Sequence, residues 1–72
     1  MYGHAIEALR KAIDLEPNLL DGHYTLADAF YHQGDLKNAV ASYRRAIELK
    51  PDYAIAHYNL GQCLRQLGVK LR

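Results

Sequence analysis

Tryptophan is absent from this 72-residue chain, and cysteine, methionine and phenylalanine occur once each. The lone Cys63 excludes an internal disulfide, and no Cys/His spacing resembles a zinc finger, so neither usual staple of a small domain is available. No apolar run approaches the ~18 residues of a membrane span, and the amino terminus lacks the charged-then-apolar pattern of an export signal. Membrane association is therefore not expected, and a free thiol fits a reducing, cytoplasmic setting. Glycines 3, 22, 34, 61 and 68 are isolated, which leaves no phosphate-cradling loop. The histidines, His4, His23, His32 and His57, contain no i,i+4 pair, and no carboxylate completes a ligand set around them. No histidine is placed to activate Cys63, which reads as a buried, inert thiol. A chain of this size buries only about 60% of the surface its unfolded form exposes, leaving little room for a supported catalytic cleft. Neither an enzyme, a cofactor nor a metal is expected.

The charge is nearly balanced overall, at +1, but not along the chain. Residues 1–36 carry Arg10 and Lys11 against Glu7, Asp14, Glu16, Asp21, Asp28 and Asp35, a balance of −4. Residues 37–72 carry Lys37, Arg44, Arg45, Lys50, Arg65, Lys70 and Arg72 against Glu48 and Asp52, a balance of +5. The basic residues stand singly along presumed helices and are not interleaved with aromatics, so nucleic-acid binding is not expected. Glu7 with Lys11, and Arg44 with Glu48, fall at i,i+4 and read as solvated helix pairs.

What the chain does have is a period. Displaced by 34 residues against itself, it repeats Ala5/Ala39, Arg10/Arg44, Ala12/Ala46, Ile13/Ile47, Leu15/Leu49, Pro17/Pro51, His23/His57, Tyr24/Tyr58, Leu26/Leu60 and Gly34/Gly68. Within it, Leu26, Ala27 and Phe30, then Leu36, Ala39, Val40, Tyr43, Ala46, Ile47 and Leu49, recur in steps of three and four. That spacing is helical. Gly34-Asp35 closes one helix and opens the next, because glycine tolerates the left-handed cap and aspartate accepts a first-turn N–H. Pro51 ends the third helix by pushing Lys50 out of helical geometry, with Asp52 placed to cap the fourth, and Pro17-Asn18 does the same one period earlier. Four helices are predicted, over 2–16, 19–33, 36–50 and 53–67. Leu26, Phe30, Ala39, Tyr43, Ala46 and Leu60 are expected to form the core.

With this pattern the chain resembles the tetratricopeptide repeat (TPR) family, whose period runs W-x2-L-G-x2-Y, A-x3-F and a closing proline. Here it reads His23, Leu26, Ala27, Phe30, Ala39, Tyr43, Ala46 and Pro51. It recurs as His57, Leu60, Gly61 and Leu64, and before that as Ala5, Leu9, Ala12 and Pro17. Histidine stands twice where the family favours tryptophan. The resemblance implies an all-α, helix-turn-helix repeat solenoid of four antiparallel helices in one domain. Residues 1–18 would be the second helix of one repeat, 20–53 a complete repeat, and 54–72 the first helix of a third, the whole looking like a piece of a longer array.

In the family resembled, the first helix of each repeat lines a concave groove holding an extended peptide or a partner helix. Stepping along the face opposite Leu26 and Phe30 gives Asp21, Tyr24, Asp28 and Tyr31, and on the next such helix Ile55, Tyr58, Gln62 and Arg65, with Thr25 and Asn59 beside them. Tyrosine supplies apolar area and a hydroxyl at low entropic cost, which suits a binding floor. An asparagine at such a position hydrogen-bonds peptide backbone in some relatives, an option that only Asn59 keeps. Other relatives clamp acidic chaperone tails with lysines and asparagines. Here Asp21 and Asp28 would repel such a tail, so the expected partner is a protein or peptide of another kind.

Two alternatives remain open. One is self-assembly: Ile6, Leu9 and Ile13 on the first helix, and Leu60, Leu64 and Leu67 on the fourth, with Leu71 beyond, would form complementary open faces and a homo-oligomer. The other is an accessory array of a larger enzyme such as a sugar transferase, whose catalytic domain would lie outside this chain.

Overall fold

A computed structural model describes residues 2–68, so Leu71, Lys70 and Arg72 lie outside the described residues. Each predicted helix forms, with ends within a residue of those expected: α1 Tyr2–Leu15, α2 Leu20–Gln33, α3 Leu36–Leu49 and α4 Ala54–Gln66. There is no strand among the described residues. The turn chemistry explains the boundaries unevenly. Gly34 ends α2 in the left-handed region at φ +90°, and its N–H donates to the Tyr31 carbonyl at 3.0 Å while the N–H of Asp35 donates to that of Phe30 at 2.9 Å. Asp35 then caps α3, its carboxylate accepting from the Asn38 backbone N–H at 3.3 Å and from the Asn38 amide at 2.7 Å. Because only glycine adopts that φ without a steric penalty, Gly34→Ala is expected to lower unfolding stability by about 1 kcal/mol, measured by urea titration.

The expected caps at Asn18 and Asp52 do not form. The residues that immediately precede α2 and α4 are Leu19 and Tyr53, neither making a side-chain cap. Asn18 and Asp52 each fall one position too early to reach the first-turn N–H groups. They turn outward instead: the Asn18 amide oxygen accepts from Arg45 at 3.4 Å, and Asp52 pairs with Lys50 at 3.4 Å. Glu48 likewise pairs with Arg45 at 3.0 Å, three residues back, and not with Arg44 as the i,i+4 spacing suggested. Both spacings are neighbours on a helix.

Each helix packs antiparallel on its neighbour in sequence, in the order α1, α2, α3, α4. Small residues make the close approaches: Ala27, Ala39, Ala46 and Ala56 are fully buried, with Leu26, Phe30 and Tyr43 wedged among them. Arg10 of α1 lays its guanidinium carbon 5.5 Å from the centre of the Phe30 ring, closing one edge of this core with a cation–π contact. Leu60, expected in the core, is only half-buried. Its counterpart Leu26 is covered by α3, whereas no helix follows α4 among the described residues.

The histidines in the tryptophan position acquire a specific task. The Nε2 atom of His23 lies 2.8 Å from the Pro17 carbonyl oxygen, and that of His57 2.8 Å from the Pro51 carbonyl oxygen. A carbonyl only accepts, so Nε2–H is the donor in both. Each histidine thereby pins its helix to the turn six residues earlier, replacing the bulk of an indole with a directed bond. His23 is buried and His57 exposed. His23→Ala should accordingly cost about 1–2 kcal/mol in a thermal melt and His57→Ala less than half of that.

Candidate functional site

The face shared by α2 and α4 is aromatic at its base. Tyr24 sits on two other tyrosines, with ring centres 5.8 Å from Tyr43 and 5.4 Å from Tyr53, both tilted contacts. Tyr43 is the buried support, while Tyr24 is half-buried with its hydroxyl at the surface of the groove. Burial holds the Tyr24 hydroxyl above the ordinary tyrosine range, and the nearby Asp28 charge adds to that. Asn59's hydrogen bond opposes this at Tyr24; at Tyr43 burial first and the Asp28 charge second act more strongly. Both phenols stay protonated at any physiological pH.

Amide side chains of α4 reach across or along the face to these hydroxyls. Asn59 donates to the Tyr24 hydroxyl at 3.0 Å and Gln66 to the Tyr31 hydroxyl at 2.8 Å, joining α4 to α2. Gln62 donates to the Tyr58 hydroxyl at 2.8 Å, and Arg65 in turn donates to the Gln62 carbonyl oxygen at 3.0 Å. Between the two helices lies a recess of about 350 Å³, bordered by Asp28, Tyr31 and His32 on α2, Tyr58, Asn59 and Gln62 on α4, with Tyr43 of α3 beneath. Asp28 and His32 are i,i+4 neighbours with oxygen and nitrogen 3.5 Å apart. Among the described residues no group of three His, Cys, Asp or Glu side chains could hold a metal ion. Cys63 is buried, and burial raises its thiol pKa.

Of the groove residues read from the sequence, Asp28, Tyr31, Tyr58, Asn59 and Gln62 border this recess; Tyr24 and Arg65 join it through Asn59 and Gln62. Asp21 does not. It lines a separate, shallower hollow at the α1–α2 turn with Glu16, Pro17, Asn18, Leu19 and Leu20. Thr25 is exposed on α2, and Ile55 is 46% exposed in the first turn of α4. Sequence reasoning missed His32 and Gln66, which lie one residue beyond Tyr31 and Arg65 on the same face. They are themselves 34 residues apart, a signal that was available.

The profile of the TPR repeat matches residues 2–34 and, overlapping, 27–68. The chain belongs to the TPR repeat family. Two matches displaced along one chain are what a repeating unit produces, and together they span every helix. No curated protein matches the chain. TPR repeats mediate protein–protein interaction and are typically non-enzymatic modules. No helix among the described residues is long and apolar enough to cross a membrane.

Of the residues read as open faces of this TPR chain, Ile6 is buried against α2, while Leu9 and Ile13 are half-buried on the same core. Leu60 and Leu64 are half-buried, and Leu67 is 38% exposed. Thus Ile6 belongs to the intramolecular core; on α1, Ala5 is exposed and Ala12 half-buried.

Proposed function

We propose that this TPR chain is a non-enzymatic interaction scaffold that receives a peptide or partner helix on the α2–α4 groove. The observation that carries this reading is the 350 Å³ recess whose walls come from two different repeats and whose rim is made of tyrosine rings and side-chain amides. Tyr58 is 63% exposed, an unusual surplus of aromatic surface on so small a molecule, and its hydroxyl is already oriented by Gln62. Rigid aromatic anchors ringed by amides are the composition of interface hot spots. An acidic chaperone tail is disfavoured as the ligand because Asp28 borders the recess. A reducing, cytoplasmic setting suits the unpaired Cys63 thiol.

The test is selection of binding peptides from a random library on the full chain, followed by Tyr58→Ala and Gln62→Ala. Tyr58→Ala should weaken the selected peptides by about tenfold, as expected for losing one aromatic anchor, without changing the melting temperature. Selected peptides indifferent to both substitutions but lost on Lys11→Glu, on the other face, would overturn the groove reading.

A second reading, head-to-tail self-assembly, is favoured by a different observation. The α2–α3 contact buries Leu26, Ala27 and Phe30 against Ala39, Tyr43 and Ala46. One period away, the counterparts Leu60, Gly61 and Leu64 on α4 are half-buried, a Cβ at Gly61 would meet nothing within 4 Å, and the counterparts Ala5, Leu9 and Ala12 on α1 are exposed or half-buried. The two uncovered faces are the two halves of an interface the molecule already makes once. One copy's α1 laid on another's α4 would repeat it, and the −4 and +5 halves favour that order. Such a contact does not close on itself, so it gives an open stack. Light scattering over a concentration series should show mass growth that Leu64→Glu suppresses; a monomer at every concentration would sink this reading, and a dimer that grows no further would replace it with a closed pair.

A further inference from the structure

The α2–α4 recess is not chemically neutral. Of the side chains that border it, Asp28 is the one carboxylate, and Arg65 is not among them. Arg65 donates to the Gln62 carbonyl oxygen at 3.0 Å. The tyrosine hydroxyls likewise accept from α4 amides: Tyr58 from Gln62, Tyr31 from Gln66 and Tyr24 from Asn59. The amide and guanidinium donors of α4 thus engage neutral acceptors, not the Asp28 carboxylate. Its Oδ1 is 3.5 Å from the His32 Nε2, longer than a good charge-assisted bond. A carboxylate offers about four lone-pair sites, more than the single His32 contact occupies. The side chain is 47% exposed, open enough for a ligand to reach.

We propose that this recess is a subsite for one cationic side chain, a lysine or arginine of the bound peptide, with the Asp28 carboxylate as its counter-charge. The proposal rests on the groove reading and adds the class of residue that the groove selects. Three chemistries compete for the space. A carboxylate side chain would meet Asp28 as a like charge. An apolar side chain would strip water from Asp28 and return no hydrogen bond, a cost that a half-buried carboxylate cannot recover from dispersion alone. A guanidinium or ammonium supplies charged donors to the carboxylate, and its methylene stem lies against the Tyr31 and Tyr58 side chains that border the same recess. The field of Asp28 extends through the site, since after burial it helps to raise the Tyr43 pKa and, behind burial and the opposing Asn59 hydrogen bond, that of Tyr24. Both phenols stay neutral, so the cation meets a single negative centre with neutral donors and acceptors around it. That is a geometry for discrimination by charge.

The experiment is an NMR titration of the full chain with three pentapeptides, acetyl-Ala-Ala-Xaa-Ala-Ala-amide, in which Xaa is arginine, norleucine or glutamate. The arginine peptide should shift the backbone amides of Asp28, Tyr31, Tyr58 and Gln62 saturably, with norleucine weaker by about fivefold and glutamate weaker still, as for a partly exposed ion pair. Asp28→Asn should reduce the arginine peptide to the norleucine level. Should Asp28→Asn fail to fold, added salt replaces it: raising ionic strength should erase the arginine advantage and leave norleucine unchanged. Norleucine or glutamate binding these amides as tightly as arginine would overturn the cation subsite and leave the groove reading standing. No shift of groove amides with any of the three, at concentrations that saturate nothing else, would overturn both.

Discussion

Glutamate in place of Ala46 is expected to abolish cooperative unfolding. Ala46 is fully buried where α3 meets the helices beside it, and its neighbours in that layer, Ala39 and Tyr43, are equally enclosed. No described cation lies in this layer to pair with an introduced carboxylate: Arg45 is already bonded to Glu48 and Asn18 on the surface. An unpaired charge in a close helix contact costs upwards of about 4 kcal/mol, and a chain of this length holds little more than that in total. Far-UV circular dichroism should therefore show a non-sigmoidal melt with much reduced helicity. Ala41→Glu is the control, on the same helix but exposed, and should move the midpoint by less than about 0.5 kcal/mol equivalent. An Ala46→Glu chain melting at the parent's midpoint would show that the helix pairing described above is wrong.

Alkaline pH should unfold the parent earlier than a Tyr43→Phe variant. Burial first, and the Asp28 charge second, hold the Tyr43 hydroxyl far above its ordinary value of 10.0, and they raise Tyr24 from the same value by less. Burial raises the Cys63 thiol above its ordinary 9.0. Each of these groups is neutral when protonated, so the folded chain keeps protons that the unfolded chain has begun to release. Stability is complete below the unfolded values and falls as pH climbs above about 9 for Cys63 and 10 for the tyrosines. Tyr43, the most strongly shifted, carries the largest share. Melting temperature should thus drop steeply between pH 9.5 and 11.5 in the parent, and Tyr43→Phe should retain most of what is lost. If the two chains lose stability in parallel, the alkaline transition belongs to other groups.

The parts of this fold that could be read from the sequence are those governed by local chemistry. Gly34-Asp35 specifies its turn through one residue's φ and one carboxylate's reach, and Pro17 and Pro51 stop helices by covalent geometry. Asn18 and Asp52 were misread because capping depends on a single-residue phase, and the helices they precede start one position later than a cap would require. The hydrogen bonds from His23 and His57 to Pro17 and Pro51 could not have been foreseen. They depend on how the turn folds back, and nothing in the spacing of six residues announces it. Helical stepping put Tyr58, Asn59 and Gln62 on one face, and all three border the recess, because a 34-residue repeat transfers one face onto the next. Asp21, from the same stepping, lines the α1–α2 hollow and not this recess. Tyr43 was assigned wholly to the core; its size lets one residue serve both the core and the floor of the recess.

The tie between α2 and α4 has a mechanical side. Behind the groove both helices rest on α3 through apolar packing. In front, among the described residues, the bonds that span them are Asn59 to Tyr24 and Gln66 to Tyr31, both ending on neutral hydroxyls. Neutral hydrogen bonds open to water at modest cost, whereas the packed rear does not separate without exposing a core. Any opening of the groove would therefore pivot on α3 and break these two bonds. A ligand that takes over the two hydroxyls can spread the groove and leave the packing on α3 alone, and the angle so gained would be handed on, repeat by repeat, as a change in the pitch of any superhelix to which this unit is joined.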